Sequence, residues 1–278
     1  ERGVDMSVLR GLPGLSASRQ RRIAENFSRA AEHYDDAAQF QRQVADELLS
    51  CLPVSCRPRA LLDVGCGTGY VVSHLVRRFD ATAIGIDLAP GMLAEARRRH
   101  GDLSIQWLTG NAERLPLTGR SLDLVISNLA LQWCDLERFL AQAARVLRPH
   151  GWLAFTTLCE GSLSELREAW QTVDGGRHVN DFLPEATLRQ SLASPGWRLQ
   201  RFDLTTRRTW HDDLAETLRA LKRIGANTVT GEPASSGLAG RRRFARLESA
   251  IETFRDTSGI PTRYRVATVL MQRLDAQD

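Results

Sequence analysis

The sequence predicts an α/β fold, a sheet of seven strands flanked by helices, and three observations predict it. First, residues 60–64 form a short apolar run bounded by turn residues, as in a strand covered on both faces. Second, Gly65, Gly67 and Gly69 follow at once, and the next stretch places Val71, Val72, Leu75, Val76 and Phe79 at helical spacing. Third, the next apolar run, 81–86, ends in Asp87. In that order these are the parts of a nucleoside-binding strand–helix–strand unit. The glycines let the backbone turn sharply and let a ligand lie against it. A carboxylate at the end of the second strand can accept both hydroxyls of a ribose.

The remaining elements follow in chain order. Residues 11–18 read as a flexible lead-in. Residues 19–49 read as two helices broken near 34–39, with Ile23, Phe27 and Ala30 and then Val44, Leu48 and Leu49 on their apolar faces. Pro53 and Pro58 mark a linker. A helix over 90–100 starts with Pro90, where a missing N–H costs nothing, and projects Met92 from its first turn. A strand over 103–108 runs into Gly110, Asn111, Ala112 and Glu113. A fourth strand, 122–127, is followed by Asn128 to Trp133. Ligands of open α/β sheets sit at the carboxyl ends of strands, so Asn128, Gln132 and Trp133 are expected at the mouth of the site.

A helix over 136–147, ended by Pro149 and Gly151, and a strand over 152–157 come next. Ser162 and Glu165 read as a capping box for a helix reaching Val173. A helix over 184–192 and a strand over 197–204 follow. Helices over 213–224 and 241–254, joined by a Gly/Ser-rich loop, precede a last strand at 264–270. The interval 211–260 is too long for a simple connection and reads as an inserted helical lid. The expected division is a helical cap (1–52), a core (53–210 with 261–278) and that lid (211–260).

At 278 residues and 42% hydrophobic content the chain can bury a sizeable core. No apolar stretch approaches the ~20 residues of a membrane span, and the first residues lack a signal-peptide core. The five cysteines have irregular spacing and no C-x-x-C, so they read as free thiols of a reducing cytosol, with no metal site. The net charge of +4 is almost all arginine, Lys222 being the only lysine. This excess is too modest to signal nucleic acid, and it suits an acidic macromolecular partner.

A nicotinamide dinucleotide needs a sixth-position glycine, and Tyr70 stands there. The spacing G-x-G-x-G, with Asp63 two residues ahead, instead resembles motif I of the class I S-adenosylmethionine-dependent methyltransferases. That resemblance implies a Rossmann-like, seven-stranded class I methyltransferase sheet with an N-terminal helical cap and a helical lid insertion. It implies S-adenosylmethionine as cofactor, held by Asp63, Gly65, Gly67, Gly69, Asp87, Met92, Asn111, Ala112 and Asn128. The superfamily usually carries an acidic residue where Asn111 stands. The amide oxygen can still accept from an adenine amino group, without the charge.

Other segments sharpen the likeness: Phe27 to Tyr34, Ser127 to Ala130 with Gln132 and Trp133, Phe155 to Leu158, Gly161 to Leu163, and Lys222 to Ala226. Over about residues 20–272 the chain is similar to malonyl-[acyl-carrier protein] O-methyltransferases of biotin synthesis. The resemblance implies methyl transfer to the free carboxylate of a malonyl thioester, carried by acyl-carrier protein or coenzyme A. Such a carboxylate is already ionised at neutral pH, so alignment replaces a base. Tyr34, Trp133, Lys222 and Arg223 are the candidates to hold it, with packing and a solvated face as the alternative readings. Arg241, Arg242 and Arg243, at the start of a lid helix where the dipole disfavours them, are the expected docking patch for the acidic carrier. A small-molecule carboxyl or C-methyltransferase, of trans-aconitate or quinone-precursor type, is the alternative. An inactive cofactor-binding subunit is a further one. A nucleic-acid enzyme would carry Asn-Pro-Pro-aromatic where Asn128 to Leu131 stand. A cytoplasmic monomer is expected.

Overall fold

The computed structural model describes residues 17–34, 38–176, 178–223 and 238–275. Two helices lead, α1 (Ala17–Tyr34) and α2 (Gln39–Ser50). The first half of the sheet then alternates with helices: β1 (Ala60–Val64), α3 (Tyr70–Arg78), β2 (Thr82–Asp87), α4 (Pro90–Arg99), β3 (Ile105–Thr109). The second half runs β4 (Leu122–Asn128), a single 3-10 turn (Leu131–Trp133), α5 (Leu136–Val146) and β5 (Leu147–Leu158). After α6 (Ser164–Val173) and α7 (Glu185–Leu192) come β6 (Trp197–His211), the pair α8 (Leu214–Arg223) and α9 (Leu238–Glu252), and β7 (Ile260–Arg273).

The seven strands are ordered β3-β2-β1-β4-β5-β7-β6. The first five in chain order pair in parallel, and β7 is antiparallel to both its neighbours. The order reverses between β1 and β4, and the loops after those strands diverge there to leave a crevice. Parallel strands covered on both faces explain the unbroken burial of β1 and of the end of β5. Phe139 of α5 and Phe155 of β5, both fully buried, meet edge to face in the core on one side of the sheet. Leu48 of α2 and Leu75 of α3 fill the other side.

Some elements depart from the sequence expectation. β6 and β7 run on as a two-stranded ladder from Trp197↔Arg273 to His211↔Ile260. Residues 205–211 are mostly polar and give no strand period, but pairing satisfies their main chain. Helix α5 stops at Val146, because Leu147 already pairs with Leu122, before the chain loops out and rejoins at Trp152 opposite Leu124. The capping box at Ser162 and Glu165 does not form. Leu163 caps α6 in a left-handed conformation, the Ser162 hydroxyl donates to the Cys159 carbonyl, and Glu165, buried, accepts from the Arg263 amide of β7. Both polar groups serve tertiary contacts to β7 rather than the helix end.

Helices α8 and α9 pack on α6 and the end of β7 around Leu166, Leu214, Leu247 and Ile251. Phe40 of α2 stacks on Tyr264 at 4.2 Å and ties the leading helices to this group. Arg243 is only partly exposed: it pairs with Asp174, lies 2.9 Å from His178 and sits over the Trp170 ring. Of the expected docking triplet, Arg241 and Arg242 are the exposed members. The 225–237 loop lies outside the described residues. No described helix is long and apolar enough to cross a membrane.

Candidate active site

Helix α1 does not pack on the sheet. It lies across α4, where the Ser28 hydroxyl accepts from the Gly91 N–H at 3.1 Å. Its inner face, with Ile23, Phe27 and Tyr34, thereby roofs the crevice at the strand-order switch. Beneath it the crevice is open to solvent on one side and reaches Val64, Ile86 and Asn128 at the strand ends.

The floor is the glycine turn. Gly65 has φ +68°, and a Cβ built on it would stand 2.3 Å from the Ala130 Cβ, so only glycine lets the two turns approach. The N–H groups of Gly65 and Cys66 both donate to the Ile86 carbonyl, which pins the turn to the end of β2. Asp87 completes the join. One carboxylate oxygen accepts from the Gly67 amide at 2.9 Å and the other from Ala89 at 2.8 Å. Burial pushes its pKa up, and these amides pull it back. Met92 and Ala112 form apolar wall beside it.

Asp63 lies beneath the turn, almost wholly buried. It accepts from the Val72 amide at the start of α3, and burial pushes it up to about 7, with the Asp87 charge adding to the rise. Gly69 falls outside the cavity wall. Its φ of +87° caps α3, and a Cβ there would meet Trp107 at 2.6 Å, so this glycine serves helix–strand packing. Asn111 is in the wall, but its side-chain oxygen already accepts from the Glu113 amide at 2.8 Å and its amide donates to Gln20 of α1. Asn128 is also occupied at both ends: its amide donates to the Gln41 carbonyl and its oxygen accepts from Thr156. Trp133 faces the cavity, its ring 5.9 Å from Phe27 in an edge contact, and the Tyr34 ring lies 6.5 Å from Phe27. Gln132 turns away. Its amide donates to the Leu129 carbonyl, and it lines a separate small cleft with Thr157 and Phe182. Lys222 and Arg223 occupy the last turn of α8, and their side chains lie outside the described residues.

A methyltransferase-domain family profile matches residues 62–155, the stretch from β1 to β5. The malonyl-[acyl-carrier protein] O-methyltransferase of Hahella chejuensis is 39% identical over 91% of this chain and 90% of its own length. That of Yersinia pestis is 40% identical, with 94% of each chain covered. The chain belongs to the malonyl-[acyl-carrier protein] O-methyltransferase family. Its fold is shared more widely. A solved geranyl diphosphate methyltransferase in complex with sinefungin has a TM-score of 0.57 at 19% identity, covering 92% of this chain and 100% of that one.

S-adenosylmethionine is the cofactor of this family's chemistry, and the residues present fit it. The turn has no side chain at Gly65, the Asp87 carboxylate lines the cavity at the end of β2, and a second recess opens beyond Asn128. That recess has walls from Tyr34, Gly65 and Gly67, shared with the main cavity, and from Gln41 and Arg42 of α2. The Gln41 side-chain oxygen is buried there with no hydrogen-bond partner among the described residues. A guanidinium and an unengaged acceptor suit a ligand end bearing both a carboxylate and an ammonium group. The sequence reading missed Gln41 and Arg42, because polar residues on an amphipathic helix carry no signal of the face they present. It also missed Gln20 for the same want of a local pattern, and it gave Thr156, within the segment Phe155 to Leu158, no role of its own.

Two thiols near the crevice, Cys66 and Cys134, are disfavoured as thiolates. Burial pushes Cys66 well above its usual value and Cys134 up to about 12, and nearby carboxylates add to both.

Proposed function

We propose that this chain transfers a methyl group from S-adenosylmethionine to the free carboxylate of a malonyl thioester, borne by acyl-carrier protein in the first place. The observation that carries the reading is the identity of 39–40% over nine-tenths of the chain with two enzymes so named. The roofed crevice supports it. S-adenosylmethionine supplies a methyl already activated on a sulfonium. The malonyl carboxylate is ionised at neutral pH, so the protein has no proton to remove. Its work is to hold the ligands in line and to keep water out.

In this reading Asp87 accepts the ribose hydroxyls, and Gly65 and Gly67 give the backbone room beside them. Met92 and Ala112 flank the base, and Asn111 offers its remaining lone pair to the adenine amino group. Gln41 and Arg42 receive the amino-acid end. Asp63, which also lines the recess beside Gln41 and Arg42, supports the turn from below, and Gly69 acts by packing. Phe27 excludes water at the roof, while Tyr34 and Trp133, each with a polar hydrogen, are placed to hold the acceptor carboxylate. Lys222 and Arg223 on α8 are further candidates for that carboxylate. Arg241 and Arg242 offer positive charge to an acidic carrier, and such exposed charges speed association more than they tighten it. The protein acts as a cytoplasmic monomer, without nucleic-acid or membrane partners.

The test is methyl transfer from labelled cofactor to malonyl-carrier protein, malonyl-coenzyme A, acetyl-carrier protein and free dicarboxylic acids. Methylation of the malonyl thioesters and none of the acetyl thioester is expected. Equal rates on acetyl and malonyl thioesters would send the methyl to another atom, and transfer to free acids alone would favour a small-molecule carboxyl methyltransferase.

A further inference from the structure

The chain leaves β4 through a strained step. Leu129 has φ +49°, a left-handed conformation that is unfavourable for a branched, bulky residue. Such strain persists only where the surroundings impose it, and it gathers at functional sites. Leu129 lines the crevice, and Ala130, next along, is the residue that approaches Gly65. The strained step therefore fixes the gap between the two turns that bound the cavity floor.

One side chain imposes it. Thr156 of β5, fully buried, stands opposite Asn128 in the parallel ladder. Its hydroxyl accepts from the Leu129 N–H at 2.9 Å and donates to the Asn128 side-chain oxygen at 2.7 Å. The same Leu129 N–H reaches the Thr156 carbonyl at 3.2 Å, so this residue holds the turn from both main chain and side chain. Asn128 passes the constraint on, its amide donating to the Gln41 carbonyl of α2 at 3.0 Å. A single hydroxyl thus sets the turn after β4 and, through Asn128, the place of α2 with Gln41 and Arg42. The donor–acceptor order is fixed: the Leu129 amide can only donate, so the hydroxyl hydrogen is left for Asn128.

We propose that Thr156 is a positioning residue for methyl transfer, acting through Leu129 and Asn128 to hold the acceptor side of the crevice in register with the glycine turn. The proposal rests on the methyl-transfer reading above. Thr156 touches neither the roof nor the cavity, so its effect is on alignment, to which in-line displacement is steeply sensitive.

The test compares Thr156→Val, Thr156→Ser and the native protein, with malonyl-carrier protein as acceptor. Valine keeps the shape and removes both hydroxyl bonds, whereas serine keeps both. Thr156→Val should lower kcat by ~10-fold or more, with KM for the acceptor changed less than threefold, and Thr156→Ser should restore most of the rate. Circular dichroism and thermal melting check that the valine variant is folded. If it is not, Asn128→Ala supplies the second arm: it removes the acceptor that valine would orphan. Asn128→Ala should lower kcat, with KM for the acceptor changed less than threefold. A folded Thr156→Val with native kcat overturns the proposal, as does a loss confined to KM or one that serine fails to restore. Asn128→Ala with native kcat overturns it too. A native protein inactive on every malonyl thioester would instead overturn the functional reading on which it rests.

Discussion

Replacing Gly65 with alanine tests the geometry of the cavity floor. Its φ of +68° is a left-handed conformation, which costs an alanine about 1–2 kcal/mol. The added Cβ would also stand 2.3 Å from the Ala130 Cβ, where carbon atoms prefer about 3.5–4.0 Å. Turn must move from turn by more than ~1 Å, an overpacking that typically costs about 1–3 kcal/mol. The sum, about 2–5 kcal/mol, is a large share of a domain stability of about 5–15 kcal/mol. The two contributions separate cleanly. With Ala130→Gly in the same chain, the nearest atom of residue 130 becomes its Cα at 3.8 Å, an ordinary contact. The double variant should therefore recover about 1–3 kcal/mol of the loss in urea unfolding and regain cofactor affinity in calorimetry. If Ala130→Gly restores neither quantity, the close approach of these two turns is not why residue 65 is glycine.

Two further outcomes follow from the buried carboxylates. Asp87→Ala removes the acceptor for the Gly67 and Ala89 amides and, in the proposed reading, for two ribose hydroxyls. Affinity for S-adenosylmethionine should fall at least ~10-fold, since charge-assisted hydrogen bonds contribute about 1.5–3 kcal/mol each. Calorimetry on the folded variant reads it, and unchanged affinity removes Asp87 from the ribose site. Asp63 is raised by burial from 3.8 to about 7 in the folded chain. The folded state therefore binds more protons than the unfolded between those values, so this group's contribution is fully present below the lower one and is lost as pH rises to the upper. Asp63→Asn can still accept from Val72 but cannot ionise. Between about pH 5 and about pH 8 its stability in urea should decline less than that of the native protein. Equal declines would show that Asp63 does not carry the raised pKa.

The sequence by itself determined the first half of the sheet and the cofactor turn. Strand, glycines, helix and terminal Asp87 are local in the chain, and each is stated by a period or by a residue type that only one backbone conformation suits. Residues 60–87 accordingly read almost element for element. The cysteines, whose spacing read as free thiols, are unpaired in the fold, and Asp87 stands where a carboxylate was expected. Tertiary structure alone decided which polar atoms remain free for a ligand. Asn128 and Asn111 line the crevice as expected, and each also holds partners inside the fold, Gln41, Thr156, Glu113 and Gln20, which include residues up to 91 positions away. Gln132 shares a short turn with Trp133, and the tight winding of that turn aims one residue into the crevice and the other out of it. Arg243 looked solvated beside Arg241 and Arg242 until Asp174 and His178 met it from the end of α6. Hydrogen-bonding capacity is written in the residue type, but its use depends on which groups the fold brings within about 3 Å, and that is settled only when the layers close.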